Sequence, residues 1–329
     1  ETNQLTMQFL TSALVLLLSV GALAKNILLT NDDGWQATNI RATYYKLKEA
    51  GHNVFLVAPV SQRSGFSGKF DIPTSPTLQT NGEFNYPPAG APSWGHEVDD
   101  NHIWYFNGTP ASSAVFGINY VIPKYGDNVT IDLVVSGPNE GTNMSPGLFT
   151  ISGTVGATYT SIYRGIPGVA FSGSNSNNSF FKDSLDLKDN KEPSTIYANK
   201  VVEFVNQIFK AQGNNPRALG LGVGLNVNFP KVGYENETCT NPKWVFTRLT
   251  GQYAAGANLV YNETSNSFTW GQKSWDGLTV CNNGDCSLPS ENFIVEHTNC
   301  QSSVSVFSVD YDANLGLTSQ VKQILNPLF

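Results

Sequence analysis

The sequence predicts an α/β protein built on a doubly wound, mostly parallel sheet, followed by a β-rich C-terminal extension. Short apolar runs alternate with longer helical patterns from residue 25 to about residue 230, which is the pattern of repeated β-loop-α units. From residue 231 the pattern changes to short strands, glycosylation sequons and cysteines. We therefore divide the chain into a core, 25–230, and an extension, 231–329, that packs on the core with β-hairpins and a terminal helix.

The elements of the core follow in order. The first predicted strand, 27–30, leads to a helix that begins at Thr38 and stops at Gly51. Thr109 and Pro110 start another helix, as an N-cap and a residue suited to the first helical position. The other predicted strands are 54–58, 103–106, 133–136, 169–172 and 221–229, and the other predicted helices are 153–165 and 195–212.

Two segments of the core carry no clear periodic pattern. Residues 70–100 are rich in Pro, Gly and Asn and are typical of a long surface excursion. Residues 173–192 are rich in Ser, Asn, Asp and Lys, which predicts a mobile insertion. In the extension, a strand at 304–308 and a short helix at 317–324 close the chain.

Composition restricts the class of protein. The 329 residues are 40% hydrophobic, which suffices for one large domain or a core with a sizeable appendage. Because the net charge is −7 and no Lys/Arg cluster stands out, we expect no nucleic-acid polymer as a partner. The low charge, with 30 Gly, 13 Tyr and 19 Phe, is typical of an extracellular protein.

An apolar run near the start indicates secretion. Residues 8–24 end in Ala22-Leu23-Ala24, a small-x-small cleavage pattern, so residues 1–24 are interpreted as a signal peptide that starts at Met7 and has extra upstream residues 1–6. The alternative is an uncleaved membrane anchor. We expect a secreted protein with no membrane contact in its mature form, and six sequons suit this interpretation: Asn107, Asn128, Asn143, Asn177, Asn236 and Asn262.

Four cysteines lie in the last third of the chain: Cys239, Cys281, Cys286 and Cys300. An even number in a secreted protein predicts two disulfides, and three connectivities are open. A zinc site is the alternative, although the spacings fit no zinc pattern.

The run 27–34, Ile-Leu-Leu-Thr-Asn-Asp-Asp-Gly, is the most informative feature of the chain. It places Asp32 and Asp33 just after an apolar strand, at the sheet edge where open α/β folds bind ligands. Adjacent carboxylates repel each other unless a cation neutralises them, and hard oxygen ligands suit Mg²⁺, Mn²⁺ or Ca²⁺. The simpler alternative is an Asx-rich turn with a glycine at positive φ.

Three further segments follow predicted strands with complementary chemistry. Ser64 and Asn139 could complete a cation shell with a hydroxyl and an amide carbonyl. The turn Ser152-Gly153-Thr154 opens a helix and offers N–H groups and a positive dipole to an anion. Each segment could instead be an ordinary turn or N-cap. Together, a cation site and an anion site are the minimal equipment for binding a phosphate ester.

These segments, in this order, resemble the SurE family of stationary-phase survival proteins, which are metal-dependent nucleotidases and phosphatases. The resemblance covers about residues 26–320. It implies a Rossmann-like three-layer sandwich, a divalent cation (Mg²⁺ or Mn²⁺), and a C-terminal extension that forms a homodimer. By position, the metal ligands are Asp32, Asp33, Ser64 and Asn139, and the phosphate pocket is lined by Asn31, Asn107, Ser152, Gly153 and Thr154.

The leading hypothesis is a secreted, divalent-metal-dependent phosphomonoesterase, a 5'/3'-nucleotidase or acid phosphatase acting on small phosphate monoesters such as nucleoside monophosphates. Asp32 is the candidate catalytic residue, as nucleophile or as base for a metal-bound water, with Asn31 beside it. Glu140 and Asn143 are candidates for a supporting role around the metal. The alternative is a non-catalytic extracellular module that binds phosphate or nucleotides and retains the fold.

Overall fold

The computed structural model of the protein describes residues 24–328, so the predicted signal peptide lies outside the described residues except for Ala24. Within that range the strands are β1 (Asn26–Thr30), β2 (Asn53–Pro59), β3 (Trp94–His96), β4 (Ile103–Phe106), β5 (Leu133–Asn139), β6 (Gly168–Ser172), β7 (Val223–Asn228), β8 (Lys243–Thr247), β9 (Gly256–Asn262), β10 (Ser267–Lys273) and β11 (Gln301–Ser308).

The α-helices of the described chain vary from one turn to twenty residues. They are α1 (Thr38–Glu49), α2 (Pro110–Phe116), α3 (Ile122–Tyr125), α4 (Ser145–Phe149), α5 (Gly153–Ile162), α6 (Phe181–Ser184), α7 (Pro193–Gln212), α8 (Asp276–Thr279), α9 (Glu291–His297) and α10 (Leu315–Leu325). A π-helical turn, Gly117–Val121, joins α2 to α3. The predicted N-cap at Thr109 is present as a capping box with Ser112.

One sheet of nine strands, counted over residues 24–328, organises the molecule in the order β3-β4-β2-β1-β5-β6-β7-β11-β8. Six neighbouring strands are mutually parallel: β4, β2, β1, β5, β6 and β7. At one edge β3 runs antiparallel to β4. At the other edge β11 runs antiparallel to β7, and β8 is parallel to β11. Strand β1 is central, with β2 on one side and β5 on the other. The predicted mostly parallel, doubly wound sheet is therefore confirmed.

Helices cover both faces of this sheet and complete three layers. Alternate residues of β1 point to opposite faces: Ile27 and Leu29 pack with Ile40 of α1 and Val201 of α7. On the other face, Leu28 packs in a second cluster with Phe55 of β2, Trp104 of β4 and the aliphatic side chains of Val121 and Ile122, which follow α2. All the residues of β1 after Asn26 are buried, as expected for a strand covered on both sides.

The extension contributes to the main sheet as well as packing beside it. Strands β11 and β8 continue the sheet beyond β7. Backbone hydrogen bonds between β7 and β11 therefore join the core to the extension across the predicted boundary at residue 230. The β9–β10 hairpin forms a separate two-stranded sheet. The cysteines pair as Cys239–Cys300 and Cys281–Cys286, in agreement with the two predicted disulfides, and the sequence alone did not select this connectivity.

Residues 173–192, predicted to be a mobile insertion, instead pack against the start of α1. The carbonyl of Ser179 accepts hydrogen bonds from both the amide and the hydroxyl of Thr38, each at 2.9 Å. The Phe181 ring lies 4.1 Å from the guanidinium of buried Arg41. The prediction was based on the polar composition of this segment and did not consider its two aromatic residues. Across residues 24–328 we find no helix that is both long enough and apolar enough to span a membrane.

Candidate active site

The site lies where the central strands end. Strand β1 is paired with β2 and β5, so the turns that follow these three strands meet at one edge of the sheet. This is the point where the chain switches direction across the sheet, and ligands bind at such points in open α/β folds. The three turns begin at Asn31, Val60 and Glu140.

The turn after β1 is fixed by Asn31. Its side-chain amide donates to the carbonyl of Gly34 at 3.0 Å, and its side-chain oxygen accepts from the Gly34 amide at 3.2 Å. Gly34 has φ +111°, which a residue with a Cβ adopts only with strain. Asn31 therefore holds the turn that carries the two aspartates, and it is itself fully buried.

Asp32 is buried, and its side chain lies against the first turn of helix α5. Its Oδ1 accepts a hydrogen bond of 2.6 Å from the Thr154 hydroxyl. Burial raises the pKa of Asp32, while hydrogen bonds from the side chain and backbone of Thr154 work in the opposite direction. The helix N-terminus predicted to attract phosphate is thus engaged with a carboxylate of the protein.

Asp33 is buried beside it and faces the turn after β5. Its Oδ2 accepts from the backbone amide of Glu140 at 2.9 Å, and its Oδ1 lies 3.4 Å from the side-chain amide of Gln62. Burial, and then the negative charges of Asp32 and Glu140, raise the pKa of Asp33 well above its usual value. Two neighbouring carboxylates that both resist ionisation would be stabilised by a bound cation.

Asn139 supplies a free oxygen in the same place. Its amide group donates to the carbonyl of Gly141 at 2.6 Å, which directs the side chain. Its Oδ1 is buried and has no hydrogen-bond partner among the described residues. Residues 24–328 hold no group of three or more His, Cys, Asp and Glu side chains arranged for a metal, so a cation here would use two carboxylates and neutral oxygens. That donor set fits Mg²⁺ or Mn²⁺.

A cavity of about 440 Å³ opens above these groups. Most of its lining residues are polar, and the segment from Asn139 to Ser152 contributes many of them. This volume is within the range of small-molecule sites. The lining residues are Asp32, Ser64, Gly65, Asn139, Glu140, Gly141, Thr142, Asn143, Leu148, Ile151, Ser152, Ser176, Trp270 and Gln272.

Comparison with known proteins identifies the family. A family model described as "Survival protein SurE" matches residues 27–255. The chain belongs to the SurE family. An acid phosphatase of Yarrowia lipolytica is 46% identical over 304 residues, which cover 91% of this chain and 83% of that protein. A 5'-nucleotidase SurE of Lawsonia intracellularis is 31% identical over 209 residues, 63% of this chain and 66% of that protein.

The fold is shared with a solved SurE protein. The crystal structure of the SurE protein from Aquifex aeolicus superposes with a TM-score of 0.61 over 91% of this chain and 99% of that chain, at 22% identity. The predicted Rossmann-like α/β fold is confirmed by this likeness. The names of the Yarrowia and Lawsonia relatives both denote phosphoric monoester hydrolases, which confirms the enzyme class predicted from the sequence.

The predicted site residues of this SurE-family chain divide into those that line the cavity and those that do not. Six line the cavity: Asp32, Ser64, Asn139, Glu140, Asn143 and Ser152. Five others are not among its lining residues in the described chain: Asn31, Asp33, Asn107, Gly153 and Thr154. Asp33 and Thr154 contact lining residues, and Asn107 accepts from the Arg63 guanidinium at 3.4 Å.

Gly153 has a spatial role beside Asp32. A Cβ at this position would lie 2.8 Å from the Cβ of Asp32 and 2.9 Å from its Oδ2. Only glycine therefore allows helix α5 to approach the aspartate this closely. The sequence indicated the glycine as part of an anion-binding turn, and the structure places it against the carboxylate.

Among the residues of the site that sequence reasoning missed, Gln62 and Trp270 make the most informative contributions. Gln62 donates to Glu140 at 2.9 Å and accepts from the Ser64 amide at 2.5 Å, so it links the turns after β2 and β5. Gln62 lies in the segment that follows β2, and this position in the sequence could have identified it as a site residue. Trp270, on the distant β10, also lines the cavity, and no local pattern pointed to it.

Proposed function

We propose that this protein is a secreted phosphomonoesterase that depends on a divalent cation and hydrolyses small phosphate monoesters such as nucleoside monophosphates. One observation carries the proposal: two buried carboxylates and the unpaired oxygen of Asn139 lie together under a polar cavity. The names of the two relatives, acid phosphatase and 5'-nucleotidase SurE, support the same class of substrate.

In this proposal Asp32, Asp33, Ser64 and Asn139 hold Mg²⁺ or Mn²⁺. The bound cation supplies charge stabilisation to the phosphoryl oxygens. Thr154 fixes the orientation of Asp32 through its hydroxyl, so the carboxylate is positioned before substrate arrives. Asp32 then acts as the nucleophile or as the base that takes a proton from water. Trapping a phosphorylated Asp32 would establish the first role, and inversion of configuration at phosphorus in a chiral phosphate monoester would establish the second, because direct attack by water is a single displacement.

Release of phosphate from p-nitrophenyl phosphate tests the proposal directly. We expect release with added Mg²⁺ or Mn²⁺, loss of release with EDTA, and recovery when the cation is restored. Release that continues unchanged in EDTA would contradict the cation dependence. If no phosphate appears with any cation at any pH, while nucleotides still bind, the protein is a non-catalytic binding module.

Secretion is part of the proposal. The two disulfides support it, because such bonds persist in oxidising compartments. Asn128, Asn177 and Asn262 are exposed and accessible to glycosylation, whereas Asn143 is buried. We also propose a homodimer formed through the extension, which exposes apolar side chains on α10 and on the β9–β10 hairpin.

Trp270 is expected to favour substrates with an aromatic leaving group. Its side chain is 60% exposed, and it is the one aromatic residue among the described lining residues of the cavity. Stacking of a base on an aromatic ring is worth about 1–3 kcal/mol. Trp270→Ala should therefore raise the KM for AMP by about tenfold and leave the KM for ribose 5-phosphate unchanged.

Phe268→Ala is the matched control for Trp270→Ala. Phe268 lies two residues earlier on β10, is 67% exposed and does not line the cavity among the described residues. Its KM values for both substrates should match the unmodified protein. An equal rise in KM for AMP and ribose 5-phosphate in Trp270→Ala would show that the ring does not recognise the base.

A further inference from the structure

Glu291 is a fully buried carboxyl group in the extension, beyond the residues matched by the SurE model. It begins helix α9 and lies among three donors from three parts of the chain. Its Oε1 accepts from the Ser145 amide at 2.5 Å, and its Oε2 accepts from the Asn226 side chain at 3.2 Å and the Ser305 hydroxyl at 2.9 Å. No Lys, Arg or His within residues 24–328 forms a salt bridge with it.

Ser145 connects Glu291 to the chain segment that lines the active-site cavity. It starts helix α4 with φ +61°, a left-handed conformation that is unfavourable for a residue with a Cβ. Such a conformation persists only where the surroundings hold it. Here Glu291 accepts from the Ser145 amide, and the Ser145 hydroxyl exchanges hydrogen bonds with the backbone of Ala255.

The same carboxyl group supports Asn143 through one intermediate residue. Asn226, held by Glu291, also donates to the carbonyl of Asn143 at 2.9 Å. The Asn143 amide donates to the Asn228 side chain at 2.8 Å, and the Asn143 side chain donates to Ser172 at 2.7 Å. Asn143 is thereby fixed on three sides in the interior.

Asn143 and Ser145 belong to the segment that forms one side of the active-site cavity. We call residues 139–152 the wall segment, because Asn139, Asn143, Leu148 and Ser152 all line the cavity. Its first residue carries the unpaired oxygen offered to the cation, and its last residue is the N-cap of α5, which holds Asp32. A displacement of the middle of this segment would move both ends.

We propose that Glu291 is a positioning residue that fixes the wall segment by accepting the hydrogen bond of the Ser145 amide. This inference rests on the proposed function of the cavity. Glu291 itself does not touch the cavity among its described lining residues, so it acts through Ser145 and Asn226.

The positioning role requires an acceptor atom and not a charge. Burial raises the pKa of Glu291 to about 8, although the hydrogen bonds from Ser145, Ser305 and Asn226 lower it. In the protonated form Oε2 can donate to the Ser305 hydroxyl, which can donate in turn to Thr247 at 2.8 Å. Oε1 still accepts from Ser145. Gln at this position, with its Oε1 toward Ser145, would keep that acceptor and donate to Ser305, and would lose only the bond from Asn226. Met would fill similar space with no acceptor.

Three variants of the full chain test the proposal: Glu291→Met, Glu291→Gln and the control Ser305→Ala. Ser305→Ala removes a donor of the same buried cluster whose side chain bonds to Glu291 and Thr247 and not to the wall segment. We expect Glu291→Met to lower kcat at saturating cation at least tenfold and to accelerate amide hydrogen exchange in the wall segment of the cation-free protein. Glu291→Gln should retain kcat within threefold, and Ser305→Ala should match the unmodified protein in both measurements.

Two outcomes would overturn the positioning role. One is a Glu291→Met protein that unfolds at lower temperature but keeps the kcat and the wall-segment exchange of the unmodified protein. The other is a Glu291→Gln protein as impaired as Glu291→Met. If Glu291→Met does not fold, Glu291→Asp, whose side chain is one methylene shorter and cannot reach the Ser145 amide in the same way, should change both measurements in the same direction. Hydrogen exchange needs no catalysis, so failure of the unmodified protein to release phosphate would count against the proposed function alone.

Discussion

Replacing Asp32 or Asp33 with asparagine is expected to abolish cation-dependent phosphate release, a loss of about a thousandfold or more. Each change removes one of two adjacent buried carboxylates whose pKa values burial already raises. Because the repulsion disappears, the cation-free variants should melt at the same temperature as the unmodified protein or higher. Added Mn²⁺ should raise the melting temperature of the unmodified protein and leave that of the variants unchanged.

Asp71→Asn is the matched control for these substitutions. Asp71 is a surface carboxylate paired with Lys69, and its side chain is half-exposed. This variant should keep both the activity and the cation-induced rise in melting temperature. If Asp32→Asn or Asp33→Asn released phosphate at the full rate, the aspartates would be residues of a turn and the proposed cation site would be wrong.

Removing the Cys239–Cys300 disulfide is expected to give the second large effect. The two cysteines are 61 residues apart, and closing a loop of that length in the unfolded chain is worth about 4 kcal/mol. The bond also joins the segment before β8 to the start of β11, which are adjacent strands. The double variant Cys239→Ala/Cys300→Ala should therefore lose about 4 kcal/mol of unfolding free energy in urea titration.

The other disulfide provides the comparison. Cys281 and Cys286 are five residues apart, and the same relation gives about 2 kcal/mol for their loop. Cys281→Ser/Cys286→Ser should cost correspondingly less. In both double variants the cation dependence should be unchanged at low temperature, since the proposed ligands lie between Asp32 and Asn139. Equal losses of stability would show that loop length does not determine the contribution of these bonds.

The central strands were predictable because their side chains are buried on both faces. Strand β4 was predicted with its observed bounds, and β1 differs by one residue, because continuous apolar runs leave few alternatives. The helix at Thr38 ended before Gly51 as expected, where φ is +91°. The partners of β8 and β11 could not be predicted, since pairing across the sheet depends on contacts between distant residues.

Several residues of the site could be predicted from the sequence, but the contacts that join them could not. Asp32, Ser64 and Asn139 each follow a predicted strand, and that position alone placed them at one edge of the sheet. The bond from Thr154 to Asp32 spans 122 residues of sequence, and the contribution of Trp270 comes from a hairpin outside the core. Such contacts arise from tertiary packing, which leaves no periodic trace in a single sequence.

The placement of β11 between β7 and β8 imposes an order on folding during synthesis. Strand β8 has β11 as its neighbour in the sheet, and β11 begins 54 residues after the last residue of β8, at Gln301 after Thr247. While the chain emerges, β7 is therefore an open edge with unpaired backbone groups, and β8 waits for its neighbour. The core can collapse early, but the sheet is completed only after the residues of β11 have been synthesised. During this interval the nascent chain is exposed to edge-to-edge aggregation and to premature pairing of its cysteines.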